Sequence, residues 1–78
     1  MRAAVAQIEI EEDIRWGTRY EGQVNQDGHR HGKGVISWPW RERYVGEWRN
    51  NSRHGHGTKT YPNGRVESGK WENDKFLG

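Results

Sequence analysis

Two histidine pairs, His29-x-His31 and His54-x-His56, are the side chains whose type and spacing first invite a chemical reading. Residues two apart on a strand share a face, so each pair could offer neutral imidazoles to zinc or copper. A closed site needs further ligands, and the chain has neither a cysteine nor a carboxylate at a completing spacing. Both pairs abut a Gly-x-Gly element where loops are expected, so they are read as structural or surface histidines, with no metal. Ser37, Ser52 and Ser68 lack a local nucleophile motif, and Glu21, Glu47 and Asp74 fall at positions expected to be solvated. Asn50 to Ser52 matches a glycosylation acceptor in form only. The reading is a non-enzyme with no cofactor and no small-molecule substrate.

What positions these residues is a short chain. Its 78 residues bound the answer to one small domain without a deep enclosed site. Leu, Ile, Val and Phe number eleven, but nine aromatics supply bulky apolar area and the net charge is only +2, so a folded chain with an aromatic core is expected. Without cysteine nothing hints at an oxidising compartment. The opening "MRAAVAQIEIEED" is too acidic and too briefly apolar for a secretory signal, and no run approaches the roughly 20 apolar residues of a spanning helix. A cytoplasmic location is expected, with peripheral attachment to a membrane as its variant.

The elements repeat. At a shift of 23, Gly32, Gly34, Trp38 and Pro39 fall on Gly55, Gly57, Tyr61 and Pro62, while Gly46 and Trp48 fall on Gly69 and Trp71. "YEGQV" at 20–24 matches "YVGEW" at 44–48 at a shift of 24, which leaves one extra residue in the turn-rich "NQDGHR". Within "YVGEW", Tyr44, Gly46 and Trp48 share one face, as Gly34, Ile36 and Trp38 do on the preceding strand. "YPNG" at 61–64 is a tight-turn signature, whereas "WPWR" keeps the proline and has Arg41 in place of the glycine. Each copy therefore reads as a β-hairpin, with strands expected near 19–25, 33–38, 43–49, 56–61 and 66–72.

Glycine normally weakens a strand, so Gly22, Gly32, Gly34, Gly46, Gly55, Gly57 and Gly69 need a reason. A glycine beside a large ring on a neighbouring strand removes the side chain that would stop the ring lying flat, so these positions are read as seats for aromatics, with positive φ or a bulge as a further need in "HGKG" and "HGHG", which follow loops. By the same bookkeeping "IEIEEDI" is expected as a further strand with Ile8, Ile10 and Ile14 on the aromatic face. A short helix over 3–14 is the competing reading.

Tyr-x-Gly-x-Trp followed by Gly-x-Gly at this period resembles the MORN repeat (membrane occupation and recognition nexus) over residues 20–78. Val24 stands where the pattern has tryptophan, Arg41 where it has the turn glycine, and Glu67 where it has tyrosine. The resemblance implies an all-β fold, a single-layer, twisted antiparallel meander of hairpins serving as an interaction or assembly surface. Residues 1–18 are assigned to an N-terminal segment with a degenerate half-repeat strand. Residues 19–78 form the repeat domain, with copies at about 20–43 and 44–66 and a partial copy at 67–78.

A single sheet cannot bury both faces, so Tyr20, Trp38, Tyr44, Trp48, Tyr61 and Trp71 are expected to present an aromatic interaction face. The expected cover is another protein or a second copy of the chain, and homodimerisation through a face or open strand edge fits. Residues 1–13 carry one Arg and four acids (net −3), whereas 14–78 carry twelve Lys or Arg and seven acids (net +5). Trp40 with Arg41 and Arg43 then forms a rim able to meet phosphate, giving anionic phospholipid headgroups or nucleic acid as the alternative partner. Interspersed glutamates favour a solvated, mixed-charge surface over either, and without a run of four adjacent bases nucleic acid is the less expected of the two.

Overall fold

The computed structural model describes residues 7–13 and 15–78. The described residues form seven strands: β1 (Gln7–Asp13), β2 (Thr18–Val24), β3 (Arg30–Ser37), β4 (Arg43–Arg49), β5 (Ser52–Thr60), β6 (Val66–Glu72) and β7 (Lys75–Phe76). They make one sheet in chain order, every neighbour antiparallel. The result is a slab of 45 × 31 × 14 Å, one layer thick. The meander follows from the short connections, since antiparallel neighbours can be joined by a few residues whereas parallel ones need a crossover.

Two kinds of turn recur after β2. Turns 25–29, 38–42 and 61–65 are closed by a bond from the first residue's N–H to the fifth residue's carbonyl, at 2.9, 2.8 and 2.8 Å. Their fourth residues, Gly28, Arg41 and Gly64, have φ of 80°, 72° and 92°. Arg41 thus adopts the left-handed conformation that its glycine counterpart adopts without strain. The tips Asn50-Asn51 and Asn73-Asp74 have positive φ at both residues between paired flanks, the two-residue type I′ geometry that Asn and Asp tolerate. These tight tips let β5 begin at Ser52 rather than near 56. β3 likewise begins at Arg30, ahead of the expected 33.

The repeat's glutamate or glutamine explains the Gly-x-Gly element. Between the pairs Gly46↔Gly57 and Trp48↔Arg53 the register slips, and β5 carries extra residues that bulge from β4. Glu47 fills the bulge, its Oε1 accepting the His56 N–H at 2.6 Å. Gln23 does the same in the earlier copy, accepting the Lys33 N–H at 2.7 Å. Gly55 (φ 85°) sits under this plug, and a Cβ there would collide with Glu47 Oε1.

Tyr20, Val24, Ile36, Tyr44, Trp48 and Trp71 form the buried core on one side of the sheet. Their rings run in a zigzag: Tyr20–Trp48, Trp48–Tyr44 and Tyr44–Trp71 have centroids 5.4, 5.2 and 5.3 Å apart and planes at 79–89°. Such edge-to-face pairs contribute about 0.5–1.5 kcal/mol each beyond burial. The seats are Gly34 and Gly57, where an added Cβ would meet the Tyr20 and Tyr44 rings respectively. At Gly46 the first obstacle is instead the Gly57 Cα, so this glycine serves close strand approach more than a neighbouring ring.

β1 is a strand, but its parity differs from expectation. Tyr20 pairs with Glu11 and Glu21 with Ile10, so Glu9 and Glu11 share the aromatic side while Ile8 and Ile10 lie on the other. The cause is turn length. Four residues separate the Asp13↔Thr18 pair, against five in the turns at 38–42 and 61–65, and an odd change in loop length moves a whole strand to the opposite face. Ile14 lies outside the described residues.

Candidate interaction surface

The six aromatics expected as an open contact face are mostly interior. Tyr20, Tyr44, Trp48 and Trp71 are buried, Tyr44 entirely, and Trp38 and Tyr61 are half-buried. A single layer achieves this because the rings pack edge to face against one another, with Tyr20 and Tyr44 seated against Gly34 and Gly57. The Tyr20 hydroxyl donates to its own strand's Gln23 carbonyl at 2.6 Å, and the Tyr44 hydroxyl to that of Glu47 at 2.9 Å. The Trp48 and Trp71 indoles donate to the Gly34 and Gly57 carbonyls at 3.1 and 3.0 Å. Burial pushes the Tyr20 and Tyr44 phenols up to about 12.

Cations complete the cover. The Arg30 guanidinium lies 5.3 Å from the Tyr20 centroid and 5.4 Å from that of Trp48, and Arg53 lies 5.8 and 5.1 Å from Tyr44 and Trp71, all within cation–π range. Both arginines are clamped by the next hairpin tip. Asn51 Oδ1 accepts the Arg30 N–H at 2.8 Å, and Asp74 Oδ1 accepts the Arg53 N–H at 2.8 Å and its Nε–H at 3.0 Å. Lys59 lies 5.5 Å from the Trp38 ring and 4.8 Å from that of Tyr61, and its ammonium is 2.8 Å from Glu42. The Lys59 hydrogen bond, helped by the Trp40 indole, holds the Glu42 carboxyl below its ordinary range.

The opposite side carries exposed aliphatic side chains. Ile10, Glu21, Val35, Val45, Thr58 and Ser68 are successive register partners and form one row across it. Ile8 and Val66 belong to the same side, and Ile8, Ile10, Val45 and Val66 are exposed. Lys33, Glu47 and Arg43 flank the row, leaving its apolar members among mixed charge.

Trp40 and Arg41 are exposed in the turn at 38–42, where the Trp40 indole donates to Glu42 Oε1 at 2.7 Å. Arg43 is exposed at the start of β4, on the Val45 side. A neighbour the sequence reading missed is Trp16, 65% exposed. A Cβ added at Gly17 would stand 2.9 Å from Pro39 Cγ, so this turn abuts that of Trp40 and places both tryptophans at one end of the sheet. Arg15 and Arg65, also exposed, occupy turns at the same end. The 24-residue shift that relates Gly17 to Arg41 relates Trp16 to Trp40, and was the available signal.

His31, His54 and His56 lie in strands rather than loops, with His29 just before β3. His54 Nδ1 is buried without a hydrogen-bond partner among the described residues. His31 Nδ1 accepts the Asn50 N–H at 3.3 Å. Among the described residues no three His, Asp or Glu side chains gather as a metal site.

Comparison with known proteins gives the repeat its family. The MORN repeat model matches residues 20–43 and 44–64, the two copies built on Tyr20–Gly34 and Tyr44–Gly57. No curated protein matches the chain. MORN repeats are non-catalytic modules associated with protein and membrane-lipid interaction. With its matched copies covering more than half the sequence and its strands forming one antiparallel meander, this chain belongs to the MORN repeat family.

Proposed function

We propose that the chain is a non-enzymatic protein-interaction or assembly module that works through its open sheet face and outer strands, with another protein or a second copy as partner. The observation that supports this most is the division between the two sides. The rings are packed inside the layer, whereas Ile8, Ile10, Val45 and Val66 stand exposed on the side with no second layer among the described residues. These side chains stand among mixed charge on a sheet face that nothing covers among the described residues, and a sheet face of that kind suits a partner. A photo-crosslinking residue at Val45 should give protein adducts or chain dimers, while one at Lys59, on the aromatic side, should give few. Equal labelling at both positions, or none at Val45, would remove the reading.

A second reading, anionic phospholipid headgroups, is favoured by the turn end that carries Trp16 and Trp40 beside Arg15, Arg41 and Arg65, with Arg43 close to it. Interfacial tryptophan flanked by cations suits a headgroup layer, and basic residues near an anionic surface contribute about 1 kcal/mol each. Capture by phosphatidylserine vesicles that falls steeply between roughly 50 and 200 mM salt and disappears in Arg41→Glu/Arg43→Glu would support it. Capture unchanged by that double substitution would refute it.

A further inference from the structure

We propose that the outer edge of β1 is a strand-addition site for an extended peptide of another protein that alternates basic and aliphatic residues. The proposal rests on the interaction-module reading and names one partner chemistry for it. β1 is paired with β2 along all seven residues without a bulge, and among the described residues no strand pairs with its other side. Natural edge strands are normally blunted by charged side chains, proline, a bulge or brevity. β1 is seven residues long without proline or bulge, and its charges are all acidic, a guard that repels acidic strands and attracts basic ones. An added strand would gain main-chain hydrogen bonds along this length, with side chains choosing the partner.

The side chains point to one kind of strand. Glu9, Glu11 and Asp13 alternate on the aromatic side of β1, and Ile8 and Ile10 on the other at 67% and 55% exposure. Glu11 is paired with Arg30 at 3.4 Å and Asp13 with Arg15 at 3.6 Å, whereas Glu9 makes no ion pair among the described residues. Residues directly opposite across an antiparallel pair have Cβ atoms about 4.5–5.5 Å apart, where opposite charges attract and like charges repel. A strand with Lys or Arg at alternate positions would set its cations against Glu9 and Glu11, and its intervening aliphatic side chains against Ile8 and Ile10. A second copy of β1 fits poorly. In the registers that overlap at least five residues of β1, parity sets Glu9 opposite Glu9, Glu11 or Asp13 of the partner, placing like charges together.

The test uses the full chain and three synthetic peptides: Lys-Val-Lys-Ile-Lys-Val-Lys, the same pattern with Glu for Lys, and the basic peptide with proline at its centre. Titration followed by amide NMR should show the first peptide shifting β1 resonances and slowing amide exchange there, with at least tenfold weaker binding of the other two. Glu9→Lys should weaken the basic peptide at least tenfold, and Glu9→Gln by less, with unchanged circular dichroism in both. Equal binding of the acidic peptide, shifts centred on Val35 and Val45 in place of β1, or indifference to Glu9→Lys would overturn the proposal. So would a concentration-dependent dimer of the chain protected at β1, which would make the occupant a second copy. Adducts at Val45 without basic-peptide binding at β1 would sink the edge proposal alone and leave the module reading standing.

Discussion

Replacing Gly57 by alanine isolates the reason for the repeat's glycines. Gly57 is not among the positive-φ residues, so an L side chain is conformationally acceptable, and on backbone grounds alanine should gain about 0.5–1 kcal/mol over glycine in a strand. Space dictates the opposite sign, because the new Cβ would stand inside the Tyr44 ring, against its hydroxyl, Cζ and Cε1. Tyr44 is fully buried and has no open direction in which to tilt. Overpacking of this kind costs about 1–3 kcal/mol if the ring gives slightly. If the ring is expelled, it loses its bond to the Glu47 carbonyl, about 1 kcal/mol, and two edge-to-face contacts at about 0.5–1.5 kcal/mol each, for a loss of about 2–4 kcal/mol. Urea unfolding followed by tryptophan fluorescence would measure the change. Gly64→Ala is the control, since nothing lies within 4 Å of its added Cβ and only φ 92° opposes it, at about 1–2 kcal/mol. The combination Gly57→Ala with Tyr44→Leu should cost less than the sum of the single changes. A Gly57→Ala protein as stable as the parent would refute the reasoning.

Arg41→Gly should raise stability by about 1 kcal/mol, read as a higher denaturation midpoint, because glycine adopts φ 72° without the left-handed penalty; a lower midpoint would contradict this. Glu47→Gln should be tolerated, as Gln23 fills the equivalent bulge, whereas Glu47→Ala should lose about 1–2 kcal/mol by leaving the His56 N–H without its partner. Because the folded chain keeps the Tyr20 and Tyr44 phenols protonated up to about 12 and the unfolded chain ionises them near 10, their contribution is whole below pH 10 and lost as pH rises from 10 to 12. That loss is about 2–3 kcal/mol per tyrosine, and phenolate absorbance should appear together with unfolding instead of before it. Glu42 has the opposite sign. Its lowered carboxyl stabilises the fold above the ordinary glutamate range and stops doing so as pH falls through its folded value, so Glu42→Gln should matter at pH 7 and fade in acid.

The period, the five central strands and the pairing of tyrosine with glycine were legible because each depends on residue type at fixed spacing. The tips at Asn50-Asn51 and Asn73-Asp74 were not, since a two-residue turn without glycine relies on the tolerance of Asn and Asp for positive φ, and the second tip hides the short β7. The side of the sheet taken by Ile8 and Ile10 hinged on one residue of turn length, which alternation within β1 cannot reveal. The expectation of an open aromatic face failed for a different reason. Counting rings shows how much apolar area exists, but not that Tyr20 and Tyr44 are seated against glycine, that the rings donate to carbonyls, or that they sit under Arg30 and Arg53. The rim at Trp40 and Arg41 was visible, while its neighbour Trp16 required the repeat to be carried one copy further back.

The central claim is that the repeat tryptophans belong to the interior of a one-layer sheet, leaving the other side for partners. Hydrogen exchange of the five indole N–H groups tests this in a single NMR experiment. The account predicts that the Trp48 and Trp71 indoles, bonded to Gly34 and Gly57, exchange only as fast as the chain unfolds, while Trp16 and Trp40 exchange orders of magnitude faster. Trp48 and Trp71 exchanging as fast as Trp16 in the folded protein would contradict it.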